Sequence, residues 1–121
     1  MRSRGWSPER GMVTAELAVG VLAVVLVTVM LAWSLHLVTR QLLLEDTAAE
    51  VARQAARGDV AAVAEARKDA PPRTQVDIRR EGTTIVVRAR TDTVGVAALP
   101  SVELRAEART IVEPGETWSP G

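Results

Sequence analysis

The chain has 121 residues, a formal net charge of zero from 15 basic and 15 acidic side chains, and no cysteine, phenylalanine or tyrosine. Balanced charge excludes the basic field that a nucleic-acid partner needs, and three tryptophans as the sole aromatics supply no stacking platform for single strands. Without cysteine there is no disulfide staple and no thiolate chemistry.

The first eleven residues form a short charged leader in which Arg2, Arg4 and Arg10 face only Glu9. From Leu17 to Thr39 the sequence runs LAVGVLAVVLVTVMLAWSLHLVT without an acidic, lysine or arginine side chain. About 20 such residues suffice to cross a bilayer as a helix, so a single span within residues 12–39 is predicted. A cleaved secretory signal would have a shorter apolar core, about 7 to 15 residues, and a small-x-small site after it. Positive charge before the span keeps the N-terminus in the cytoplasm and sends residues 40–121 outside. Trp33 and Arg40 mark the far interface, and His36 is read as a neutral side chain near it.

One residue at the near edge is out of place. In ERGMVTAELAV, residues 9–19, Glu16 stands directly against the apolar run. A carboxylate costs about 2.5 to 3.5 kcal/mol at the centre of a membrane helix and less at its edge. A headgroup position beside the positive end of the helix dipole accounts for it in part.

The string from Arg10 and Gly11 through Met12-Val13-Thr14-Ala15 to Glu16 resembles the class III signal of type IV pilins. That resemblance implies cleavage by prepilin peptidase after Gly11, a new N-terminus at Met12 and a glutamate as fifth residue of the mature chain. The same enzyme commonly methylates the new amine. More narrowly, GMVTAELAV and the ending AEARTIVEP resemble TadE-like proteins, the minor pilins or pseudopilins of tight-adherence systems. Leu17 stands where many of them have phenylalanine, and the apolar run lacks the proline many of them carry. The resemblance implies assembly, with other pilin subunits and the pilus assembly or secretion machinery as partners, and a cell-surface pilus as one destination. In an assembled bundle the new ammonium of Met12 needs a counter-charge, and Glu16 of a neighbouring subunit would supply it.

Beyond the span, RQLLLEDTAAEVARQAARG is rich in helix formers and places Leu44, Ala48, Val51, Ala52 and Ala55 on one face, with Asp46, Glu50, Arg53 and Arg57 opposite. Gly58 stops it, Asp59 caps a second short helix, and Pro71-Pro72 ends a helical region spanning 40–70. The period then changes from helical to two. Val76 and Ile78, then Ile85, Val87 and Ala89, then Val102, Leu104, Ala106, Ala108 and Val112 alternate with polar side chains, and Glu81-Gly82 reads as a hairpin turn. Residues 91–101 are expected as a connecting loop and 113–121 as a mobile tail.

The expected fold class is α+β. A long N-terminal transmembrane helix continues outside the membrane and packs on a small three-stranded antiparallel sheet in residues 71–121.

No catalytic constellation is legible. His36 is the single histidine, and Ser34, Ser101 and Ser119 have no plausible base. No metal ligands at characteristic spacing and no glycine-rich phosphate loop point to a metal or cofactor. The expectation is a non-enzymatic minor pilin or pseudopilin. The alternative is an unprocessed single-pass anchor or interaction module of an envelope complex. A membrane-tethered hydrolase would need an activity the residues do not suggest.

Overall fold

The computed structural model describes residues 8–95 and 98–115. Residues 1–7, with Arg2 and Arg4 of the expected leader, residues 96–97 of the loop, and residues 116–121 of the expected tail, Ser119 among them, lie outside the described residues. Two compact units divide the chain, one reaching His36 and the other starting at Leu37.

The first unit is helical throughout its described part. Helix α1 spans Pro8–Ala56, with proline in the first turn and Glu9 beside it. Proline fits there because the first helical N–H groups lack partners in any case, and the acidic side chain favours the positive end of the helix dipole. Within the apolar stretch the side-chain hydroxyls return to their own helix. Thr28 donates to the Val24 carbonyl at 2.8 Å and Ser34 to the Met30 carbonyl at 2.8 Å. Such bonds leave no unmet hydroxyl to desolvate in hydrocarbon. The helix contains an 18-residue window of mean hydropathy 2.5, none of it buried by other parts of the protein. By length and composition it can cross a membrane once.

The second unit is a sheet covered by helix. Residues Leu44, Thr47, Ala48, Val51, Ala52, Ala55 and Ala56 form the buried stripe of α1, which recurs every three or four positions as a helix requires. Helix α1 ends before Gly58, whose φ of 71° is a conformation glycine adopts at no steric cost. Helix α2, Val60–Lys68, starts where the Asp59 side chain accepts the Ala62 N–H at 2.9 Å, and it contributes Val63 and Ala66 to the core. Strands β1 (Gln75–Glu81), β2 (Thr84–Asp92) and β3 (Glu103–Ile111) form an antiparallel sheet in the order β1-β2-β3. Gly82, at φ 64°, makes the first turn. In register, Val76, Ala89 and Ala106 lie side by side, as do Ile78, Val87 and Ala108. These positions turn toward α1 and close one apolar cluster with Leu44, Val51 and Ile85. The α+β class and the packing of the long helix on a three-stranded sheet are therefore as the sequence predicts.

Half of the twelve buried residues in that cluster are alanine. Small side chains on both surfaces let helix and sheet approach closely, and they bury little area each.

Two features differ from the expectation. The strand region reaches beyond the predicted loop start at residue 91, since β2 runs to Asp92 and the Thr93 N–H still donates to the Val102 carbonyl at 2.9 Å. Buried Thr91 and Thr93 continue the inward face, and their hydroxyls bond the Pro72 and Val102 carbonyls at 3.0 Å each. Hydroxyls satisfied in this way tolerate burial, whereas the sequence alone reads them as loop. The other difference is Val86, which alternation places on the polar face. It is only 1% exposed. Its register partners are Arg79 and Arg109, and long arginine stems can cover an apolar neighbour while their heads stay in water.

The outer face carries ion pairs. Arg88 reaches Glu107 across β2 and β3 at 2.8 Å, Arg109 also reaches Glu107 at 2.7 Å, Arg105 pairs with Glu103, and Arg53 with Glu50 on α1. Hydrogen bonds from Arg88 and then Arg109 hold the Glu107 carboxyl below its usual value. Arg105 does the same for Glu103, and Gln54 followed by Arg53 for Glu50. A carboxyl lowered in the folded state contributes stability above its unfolded pKa and loses it as pH falls through the lower folded value. The stability of the second unit is therefore expected to be flat near neutrality and to decline as acid enters and passes below the ordinary glutamate range. In Glu107→Gln the acid-dependent decline should be smaller, by thermal unfolding followed across pH. An identical acid limb in both proteins would remove Glu107 from the account.

Candidate assembly site

Residues Gly11, Met12 and Glu16 all lie on the first two and a half turns of α1. Met12 is 72% exposed and Leu17 68%, and Glu16 is exposed as well. Met12 and Glu16 are four positions apart, so one helix face carries both, and side chains on a helix lean toward its N-terminus. Glu16 therefore leans toward the peptide bond between Gly11 and Met12. It makes no hydrogen bond or ion pair with any described residue.

The bond expected to be cut lies inside the first turn. Glu9, Arg10 and Gly11 carry N–H groups that have no acceptor within the helix, Pro8 has no N–H at all, and Gly11 adds a helix penalty of about 1 kcal/mol relative to alanine. Opening this turn is cheap compared with opening the apolar helix behind it. A side chain at Gly11 would meet nothing within 4 Å. Thr14, between the two marked positions, donates its hydroxyl to the Arg10 carbonyl at 2.9 Å, across Gly11.

Behind Glu16 the helix shows large apolar side chains on every side. Val19, Leu22, Val24, Leu26, Val29 and Leu31 are each close to half exposed or more. Such a surface needs lipid or other apolar helices as solvent. Near the end of the run, the Trp33 and His36 rings stack at 5.8 Å. Arg40, one turn later, donates from its Nη2 to the Pro72 carbonyl at 3.3 Å and so ties the helix to the entry of β1. This anchoring was not legible in the sequence, where Arg40 reads simply as an interfacial cation. Among the described residues, no group of three or more histidine, aspartate or glutamate side chains is placed to hold a metal ion.

Together these features define a class. It is a protein with one N-terminal helix able to cross a membrane, leading into a small α+β unit. The chain is 36% identical over 103 residues to a Mycobacterium tuberculosis protein named apoptosis inhibitor Rv3655c, a match covering 84% of this chain and 80% of that protein. The chain belongs to the family of that mycobacterial protein. No family model matches it, and no solved structure does.

Proposed function

We propose that the protein is a TadE-like minor pilin or pseudopilin. In this reading, prepilin peptidase cuts after Gly11, and the subunit waits in the membrane with residues 40–121 outside until its apolar helix enters a tight-adherence pilus or its secretion machinery. The observation that carries this reading is the pairing of positions at the helix start. An exposed carboxylate without a described partner sits one turn from the residue that would become the new amino terminus, on a helix whose apolar surface is uncovered. Within a bundle, an ammonium buried without a counter-charge is strongly destabilising, and a carboxylate at Glu16, of the same or a neighbouring subunit, removes that penalty. The role is structural and needs no cofactor.

Glu16→Val tests the pairing. The variant should insert into the membrane as well as the parent or better, because a costly charge has left the span. Its recovery in assembled filaments, measured by immunoblot of sheared surface fractions, should fall tenfold or more. Normal incorporation would remove charge pairing from the mechanism.

A second reading is favoured by the helix that passes through Gly11 without interruption. Here the chain keeps its leader and serves as a single-pass anchor or interaction module of an envelope complex. N-terminal sequencing of membrane-fraction protein separates the two, since a first residue of Met12 is expected from the pilin reading and residues upstream of Met12 from the other.

A further inference from the structure

The second unit has a polar slot at the end where the chain enters it. Arg40 immediately follows the apolar run, and its guanidinium holds the Pro72 carbonyl, which also accepts the Thr91 hydroxyl at 3.0 Å. One residue onward, Arg73 occupies a left-handed conformation, φ 64°, which costs a side-chain-bearing residue about 1 kcal/mol or more. The turn is fixed by Thr74, whose N–H and hydroxyl both donate to the Pro71 carbonyl, at 3.2 and 2.5 Å. Beside it lies a cavity of about 210 Å³ lined by Arg73, Gln75, Arg90, Thr91, Asp92 and Glu103. At about 30 Å³ per water, it has room for a small hydrated headgroup.

The charges in this slot are arranged in two rows. Arg90 is opposite Arg105 in the β2–β3 register, and Asp92 is opposite Glu103. Like charges set directly across a sheet are destabilising, and here two such pairs stand next to each other with opposite signs. The Arg105–Glu103 ion pair relieves one half of the arrangement. The side chains of Arg73, Arg90 and Asp92 form no hydrogen bond or direct ion pair with a described residue, although Arg90 is near enough to Glu103 to help lower its carboxyl, and the buried Nε of Arg40 has no partner. Two cations and a carboxylate thus remain without a direct partner around one cavity, and its Arg73 directly follows the Pro72 that Arg40 holds.

We propose that this slot binds the headgroup of an aminophospholipid, with the phosphate on Arg73 and Arg90 and the primary ammonium on Asp92, beside Glu103. The inference rests on the reading of α1 as a membrane span, whose last residue immediately precedes Arg40 in the chain. Both charge signs in one cavity select a zwitterion over a purely anionic headgroup. A primary ammonium carries three N–H donors for the carboxylates, whereas the trimethylated ammonium of phosphatidylcholine carries none.

The test uses the full-length protein in detergent, titrated with phosphatidylethanolamine, phosphatidylcholine or phosphatidylglycerol, with retained lipid counted by native mass spectrometry. Phosphatidylethanolamine should be retained about fivefold more than phosphatidylcholine, the scale of one charged contact near a membrane surface. Asp92→Asn should abolish that preference, and Arg90→Gln should lower retention of all three lipids by about fivefold. Arg79→Gln, at the far end of the same face, should change nothing and controls for net charge. Equal retention of the ethanolamine and choline lipids by the parent, or an equal loss in Arg79→Gln, overturns the proposal. Circular dichroism of each variant identifies any that fail to fold, and preference in the parent alone still decides the outcome. Extraction of cell membranes with alkaline carbonate distinguishes the two levels of failure. A chain released by carbonate sinks the membrane reading and the slot together, while an embedded chain indifferent to headgroup sinks only the slot.

Discussion

Replacing Gly11 with leucine is expected to make the protein accumulate in the membrane at a mass higher by the eleven-residue leader, with mature subunit reduced at least tenfold. Two effects act in the same direction. A peptidase must draw the scissile segment out of the helix into an extended form, and leucine stabilises the helical turn by most of the 1 kcal/mol that glycine costs it. The larger side chain also occupies the position next to the cut bond. The helix itself accommodates the change without strain, because nothing lies within 4 Å of a side chain at this position. Loss of cleavage would thus not be a folding defect. Intact-mass measurement of parent and variant from the same membranes reads the result. A parent that already carries residues 1–11 would sink the filament-subunit account.

The second large effect is expected in the core. Leu44 is fully buried between α1 and the sheet, while its neighbour Leu43 is 48% exposed. Truncating a buried leucine to alanine costs roughly 2 to 5 kcal/mol, and globular proteins hold about 0.05 to 0.15 kcal/mol per residue in total. For a unit of this size, holding about 4 to 13 kcal/mol on that scale, the loss runs from about a sixth of its stability to all of it. Leu44→Ala should therefore unfold the second unit at much lower denaturant while the apolar helix stays in detergent or lipid. Leu43→Ala should stay within about 1 kcal/mol of the parent. Urea unfolding of the full-length chain, followed by circular dichroism, would show it. Equal effects at the two leucines would mean that the core has been placed on the wrong helix face.

Much of this architecture is legible in the sequence, for reasons that differ between elements. The stripe Leu44, Ala48, Val51, Ala52, Ala55 and the alternation around Val87 and Ala106 each record a single buried face, and one face imposes one period. Asp59 and Gly58 are legible because a cap and a left-handed turn each admit few residue types. Less visible are features created by neighbours far along the chain. Val86 looks solvent-facing by alternation and is covered beside arginines whose reach no periodicity records. Thr91 and Thr93 read as loop residues because a hydroxyl is counted as polar until its acceptor, such as the Pro72 carbonyl, is known. At the candidate site, Gly11, Met12 and Glu16 stand out by type and spacing, and the structure adds that all three share the opening turns of one exposed helix. The slot around Arg73, Arg90 and Asp92 left no signal, since its members come from a turn and three strands brought together by folding.

The way the second unit is fastened along its length has a mechanical consequence. Gln41 donates to the Arg105 carbonyl at 2.9 Å near the entry, and at the other end the Glu113 N–H donates to the Ala56 carbonyl at 3.3 Å. The closing segment of α1 and strand β3 thus run side by side in the same direction. Tension applied through Leu37 pulls along this seam and loads its contacts in shear, all at once, instead of peeling them one by one. A unit loaded in this way would yield late and abruptly, a property that the proposed extraction from a membrane would use.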